Sequence, residues 1–208
     1  MLIRDSLIDE LFRSTQINSS KLALAEHDVD LVCLPQEVEL INKEGAIVRL
    51  PIREKDKVIE LRSSDCPGSL NALGPSDVDI STYDLIALAM QEPQYGADEI
   101  AELLKEIGLS KKPCMSIMNM PPLPYIARIQ GLDISKLDGA YTKPDVWKYF
   151  DSNCMTLCSP DPQAFRPPDE NINVLQVGLP TNFKAARFES DQQTQILRDL
   201  QTDIEKIK

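Results

Sequence analysis

Two nearly unbroken apolar runs with an amphipathic stretch between them constrain this chain more than any other feature. Residues 83–90 read YDLIALAM and residues 114–119 read CMSIMN, each of strand length. Such continuous apolarity suits strands covered on both faces. Between them Ile100, Leu103, Leu104 and Ile107 recur at helical spacing, so Tyr95–Ile107 is expected as a helix that stops at Gly108. A strand, a helix and a strand in that order make a parallel pair joined by a right-handed crossover.

The rest of the chain extends this pattern. Val29–Leu34 (VDLVCL) reads as a strand expected to lie beside Tyr83–Met90 and Cys114–Asn119 in one parallel sheet. After Pro35 a helical stretch, Gln36–Lys43, stops at Gly45, and strands follow at Ala46–Ile52 and Lys57–Arg62. A loop rich in Pro, Gly, Ser and Asp occupies 63–82. Met155–Cys158 and Val174–Leu179 read as strands, with Pro160, Pro162, Pro167 and Pro168 between them. Ile196, Leu197, Leu200, Ile204 and Ile207 keep helical spacing after Asp191, which is expected to cap that helix. The expected class is α/β, a mostly parallel sheet flanked by helices, organised as one domain over 1–208. Its parts are an atypical N-terminal segment (1–20), the loop at 63–82 and a C-terminal strand-and-helix extension (159–208).

Charge removes some partners. The 22 basic residues against 33 acidic ones leave a net charge of −11, which repels polyanions at long range, so neither nucleic acid nor an anionic membrane is an expected partner. The longest apolar runs fall far short of a membrane span, and the acids in MLIRDSLIDELF stand where a signal peptide would be apolar. A cytoplasmic location is expected. Cysteines at 33, 66, 114, 154 and 158 form an odd, irregular set and read as reduced thiols. Cys154 and Cys158, with a single histidine at 27, do not complete a zinc ligand set, so no metal is expected. The same scarcity removes most histidine-assisted nucleophile schemes, and His27 reads as structural.

In the order and spacing of these segments the chain resembles the nucleotide-binding domain of ketopantoate reductases (2-dehydropantoate 2-reductases). The resemblance runs from LALAEHDVDLVCLPQEVELINKEGAIVRL through YDLIALAMQEPQYGADEIAELL to PCMSIMNMPP, roughly residues 20 to 125, with a looser echo through 190. Glu26-His27-Asp28-Val29 matches the family's Gly-His-Asp-Val-like entry to its second strand. Ala89-Met90-Gln91 matches its Ala-Val-Lys-like step, and Met118-Asn119-Met120 its Gln-Asn-Gly strand end. The resemblance implies a Rossmann-like fold and, at those strand ends, Met90, Gln91 and Asn119 as cofactor-binding positions for NADP or NAD. An active member would reduce a 2-keto acid-like substrate.

The departures bear on that cofactor. The family's turn between first strand and first helix carries glycines so that backbone N–H groups can approach the pyrophosphate, whereas this chain has no glycine before Gly45. Its stretch ELFRSTQINSS offers only hydroxyls at Ser14, Thr15, Ser19 and Ser20. The basic residue that grips a 2′-phosphate aligns with Leu34, and the lysine of the Ala-Val-Lys-like step with Gln91; neither supplies the charge. Cofactor binding is expected to be weak or lost. The helical domain that carries the family's catalytic lysine has no counterpart before Lys208, and none of Lys143, Lys148 and Lys184 inherits that role, so the catalytic residues are unassigned.

Other residues admit two readings. Asn119 either faces a strand-end pocket for a polar ligand or shapes the turn before Pro121. Glu92 reads as a solvated loop charge, and Trp147 as a packing residue beside a solvated Lys148. Arg166, Lys184 and Arg187 either bind an anion or balance neighbouring acids. Two functions therefore stand side by side: a divergent reductase domain completed by another domain or subunit, and a non-catalytic binding or scaffolding module, with a small-molecule ligand and a homodimer or partner subunit compatible with both.

Overall fold

The computed structural model describes residues 19–51, 58–117, 120–158, 163–179 and 184–206. These fall into two compact units, one from residues within 19–78, 163–179 and 200–206, the other from residues within 79–158 and 184–199.

In the first unit, residues 19–24 are helical and lead to strand β1 (Val29–Val32). Helix α1 (Pro35–Glu44) follows, with proline at its first turn, where no N–H is needed. It ends at Gly45, whose φ of 77° is open to glycine at little cost and whose N–H reaches the Ile41 carbonyl at 2.8 Å. Strands β2 (Ile47–Pro51) and β3 (Val58–Arg62) form an antiparallel pair. Strand β4 (Leu70–Leu73) lies inside the expected loop and pairs in parallel with β1, Val29 opposite Leu70. β1 therefore takes β4, not the 83–90 run, as its hydrogen-bonded neighbour, which corrects the expected three-strand order. Leu31, Cys33, Ile41, Ala46 and Ala72 pack together between α1 and this pair. The chain approaches itself closely at Gly68, where an added Cβ would lie 2.3 Å from the His27 carbonyl oxygen.

The other sheet of this unit runs in the order β3-β2-β9-β8, with β8 at Gln163–Phe165 and β9 at Val174–Leu179. β9 matches its expected bounds and lies parallel to β2; Val48, Leu175 and Val177 form its buried face. β8 arises within the proline-rich stretch and closes the sheet edge antiparallel to β9.

The second unit holds the expected crossover. Strand β5 (Ile86–Leu88), helix α2 (Asp98–Ser110) and strand β6 (Cys114–Ser116) follow in order, and β5 and β6 are parallel neighbours, Ile86 opposite Cys114. Strand β7 (Met155–Leu157) adds in parallel on the far side of β6. Only β6 is buried at every residue. In β5, Ala87 is exposed, and among the described strands the longest apolar run lies at the border of this sheet rather than between two neighbours. A 3-10 turn at Glu92–Gly96 takes up the first residues of the expected helix, including Tyr95. Gly108 does not stop α2: the helix continues to Ser110 and closes on Lys111 in the left-handed region, φ 54°. The glycine serves packing instead, because a Cβ there would sit 2.8 Å from the Tyr149 backbone.

After Pro121 and Pro122 a short helix α3 (Leu123–Ile126) carries Pro124 in its first turn. The terminal helix α4 (Asp191–Lys206) begins with Asp191 as its first residue. The cap beneath it is Ser190, whose Oγ accepts the Gln193 N–H at 3.4 Å.

Candidate functional site

In the first unit the carboxyl end of β1 is where an open parallel sheet receives a ligand. Leu34 stands there at the entry to α1, and Glu37 follows in the first helical turn. The Glu37 side chain is only 3% exposed. Its Oε2 accepts the Leu34 N–H at 3.1 Å, and its Oε1 accepts from Arg166 at 2.8 Å. The Arg166 side chain is itself 12% exposed. A carboxylate removed from water this completely holds its charge only against a matched guanidinium and further donors. Burial, and after it the Glu37 carboxylate, pushes the neighbouring Cys33 thiol up, while Arg166 opposes the rise. For Arg166, pairing with an internal acid is thus the reading that the structure bears out.

In the second unit the carboxyl end of β5 carries Met90 and Gln91, both partly buried. The Met90 N–H donates to the Tyr95 hydroxyl at 3.1 Å, and the Gln91 N–H donates to Gln94 Oε1 at 2.9 Å. Tyr95 is 1% exposed, and burial pushes its phenol up. It also meets Trp147 edge-on, ring centroids 5.2 Å apart. Trp147 is buried and also contacts Phe150, while Lys148 is exposed, as packing roles require.

Glu92 is a correction. It is 8% exposed rather than solvated, because its carboxylate accepts the Thr142 N–H at 2.8 Å and the Thr142 hydroxyl at 2.7 Å. Next to it, Tyr141 donates to the Pro121 carbonyl at 2.5 Å, and burial, with Glu92 second, pushes that phenol up. Met118 and Asn119 lie outside the described residues, so the expected pairing of Met90 and Gln91 with Asn119 is not part of the geometry.

Lys184 and Arg187 are exposed in the second unit. There the Arg187 carbonyl accepts from Arg128, which also bonds the Met155 carbonyl and Glu189. His27 Nε2 lies 3.3 Å from the Asp203 carboxylate in the first unit. Glu37, Tyr95 and Thr142 escaped the sequence reading. The acid at the third position of a helix following proline was the one available signal, since side chains there reach back to the N-terminal N–H groups.

No protein-family model matches the chain, and no curated protein matches its sequence. The fold does match solved structures. One is a protein assigned as a ketopantoate reductase from Ralstonia solanacearum MolK2, with a TM-score of 0.61 and 14% identity over 93% of this chain and 56% of that one. Another is assigned as a 2-dehydropantoate 2-reductase from Enterococcus faecalis, with a TM-score of 0.54 and 15% identity over 92% of this chain and 52% of that one. The chain spans little more than half the length of either. The likeness establishes a Rossmann-like α/β fold similar to that of these proteins.

Proposed function

We propose that this chain is a binding or scaffolding module on a reductase-derived fold, in which the strand ends where such a fold receives a nucleotide, that of β1 in the first unit and that of β5 in the second, are given over to internal bonds. The observation that carries the reading is Glu37. A dinucleotide needs at the end of β1 either a cation for a 2′-phosphate or an accessible acid for a ribose diol. This chain has Leu34 in the first role, and its acid is 3% exposed with one oxygen on a backbone N–H and the other on Arg166. The residues present do not fit the cofactor. At β5 the corresponding N–H groups of Met90 and Gln91 are likewise spent on Tyr95 and Gln94, and a ligand there would have to displace bonds already made.

The rival reading is a divergent reductase using NADP or NAD on a 2-keto acid-like substrate, with Met90, Gln91 and Asn119 at the cofactor. It is supported by the fold likeness and by the sequence resemblance at those strand ends, and fold does not fix function. The test is to incubate the chain with NADPH or NADH and a panel of short 2-keto acids and follow nicotinamide absorbance. No oxidation above the protein-free rate is expected. Turnover that depends on the chain and saturates in keto acid would overturn the reading.

A further inference from the structure

In the second unit, residues 127–143 leave the sheet and return to it past the carboxyl ends of β5 and β6. The outgoing foot is α3, whose Leu123 and Pro124 are buried, and after it Arg128, which donates to the Met155 carbonyl at 3.1 Å. From Ile129 to Ala140 every residue is exposed except the partly buried Ile134 and Leu137. A Cβ added at Gly131 or Gly139 would meet nothing within 4 Å.

The returning foot is three consecutive residues, each tied by a side chain. The Tyr141 hydroxyl donates to the Pro121 carbonyl beyond β6, and the Lys143 ammonium to the Gly96 carbonyl at 3.1 Å. Between them the Thr142 N–H and hydroxyl donate to the Glu92 carboxylate beyond β5, at 2.8 and 2.7 Å. The segment therefore closes across the ends of two neighbouring parallel strands, where sheets of this kind receive ligands.

We propose that residues 129–142 are a lid latched by Glu92, and that the latch opens while the rest of the unit stays folded. Glu92 is 8% exposed, and among the described residues its oxygens bond only Thr142 and no cation pairs with them. A buried carboxylate without a cation regains hydration when its donors leave, and that gain offsets the bonds lost. Glu37 in the first unit has Arg166 at 2.8 Å and no such release. Little buried apolar surface opposes the opening either, since Ile129 is 54% and Leu132 43% exposed. Closure at β5 is then reversible, which rests on the reading of closed strand ends above and extends it.

Amide hydrogen exchange of the full chain, followed by mass spectrometry on peptides covering Thr142, α2 and β6, tests this independently of any nicotinamide assay. In the wild type the Thr142 amide should exchange through an opening that leaves α2 and β6 protected. Glu92→Ala removes the acceptor and should speed exchange at Thr142 about tenfold or more, with α2 and β6 unchanged. Glu92→Gln drops the charge but keeps an oxygen for the Thr142 N–H and an amide for its hydroxyl, so it should exchange no faster than wild type. Exchange at Thr142 only in step with β6 would overturn the lid. So would a Glu92→Ala chain that matches the wild type at Thr142, one in which α2 and β6 lose protection equally, or a Glu92→Gln chain that opens as readily as Glu92→Ala.

Discussion

Replacing Arg166 with leucine should be among the most damaging single changes in the first unit. The guanidinium is held 2.8 Å from a carboxylate that is 3% exposed, and removing it strands that charge with only the Leu34 N–H as partner. Breaking a buried pair in this way costs about 3 to 5 kcal/mol, against about 0 to 1 for an exposed pair. For a chain of this length that loss lowers the melting temperature by roughly 6 to 20 °C. The double change Glu37→Leu/Arg166→Leu removes both charges and leaves mainly the Leu34 N–H unpaired, a cost of about 1 to 3 kcal/mol. The double variant should therefore be more stable than Arg166→Leu alone. Urea melts of the wild type, both single variants and the double variant close the thermodynamic cycle. A loss below about 1 kcal/mol for Arg166→Leu would mean the pair behaves as a surface pair, and the argument from Glu37 would fail with it.

Three further outcomes are expected. Gly108→Ala should destabilise by about 1 to 3 kcal/mol, although alanine is the better helix former, because its Cβ would lie 2.8 Å from the Tyr149 backbone; thermal melts check this. Tyr95→Phe should cost about 1 to 3 kcal/mol by leaving the Met90 N–H unpaired, and a variant as stable as wild type would show that this N–H finds another partner. Burial, with Cys154 second, pushes the Cys114 thiol from 9.0 up to about 12. Its contribution is fully present below pH 9, where the thiol is protonated in both states, and is lost as pH rises from 9 towards 12 and only the unfolded chain ionises. Melting temperature should fall over that window, and Cys114→Ala should flatten the fall.

What the sequence revealed depended on how locally each feature is encoded. The β5–α2–β6 crossover was legible because Ile100, Leu103, Leu104 and Ile107 carry the helix period in one short window, and Leu103, Leu104 and Ile107 are indeed buried. β9 was equally plain. β4 was missed because four residues, LNAL, between glycines give no pattern, and their pairing with β1 is set by partners 41 positions away. β8 was hidden by its prolines. Gly108 was misread because glycine signals a helix end by default, whereas here the Tyr149 backbone demands the missing Cβ. The site suffered most. Glu37 and Arg166 are 129 residues apart, and nothing local marks an acid as buried until its partner arrives through the fold. Glu92 was misjudged for the same reason, since Thr142 lies 50 residues on.

The central claim, that the nucleotide end of this fold is closed by its own side chains, is tested most directly by calorimetric titration of the purified chain with NADPH. The account predicts no saturable heat, or binding no tighter than the millimolar range, about −4.1 kcal/mol. A stoichiometric isotherm with a dissociation constant below about 1 μM, about −8.2 kcal/mol, would contradict it and return the chain to the reductases it resembles.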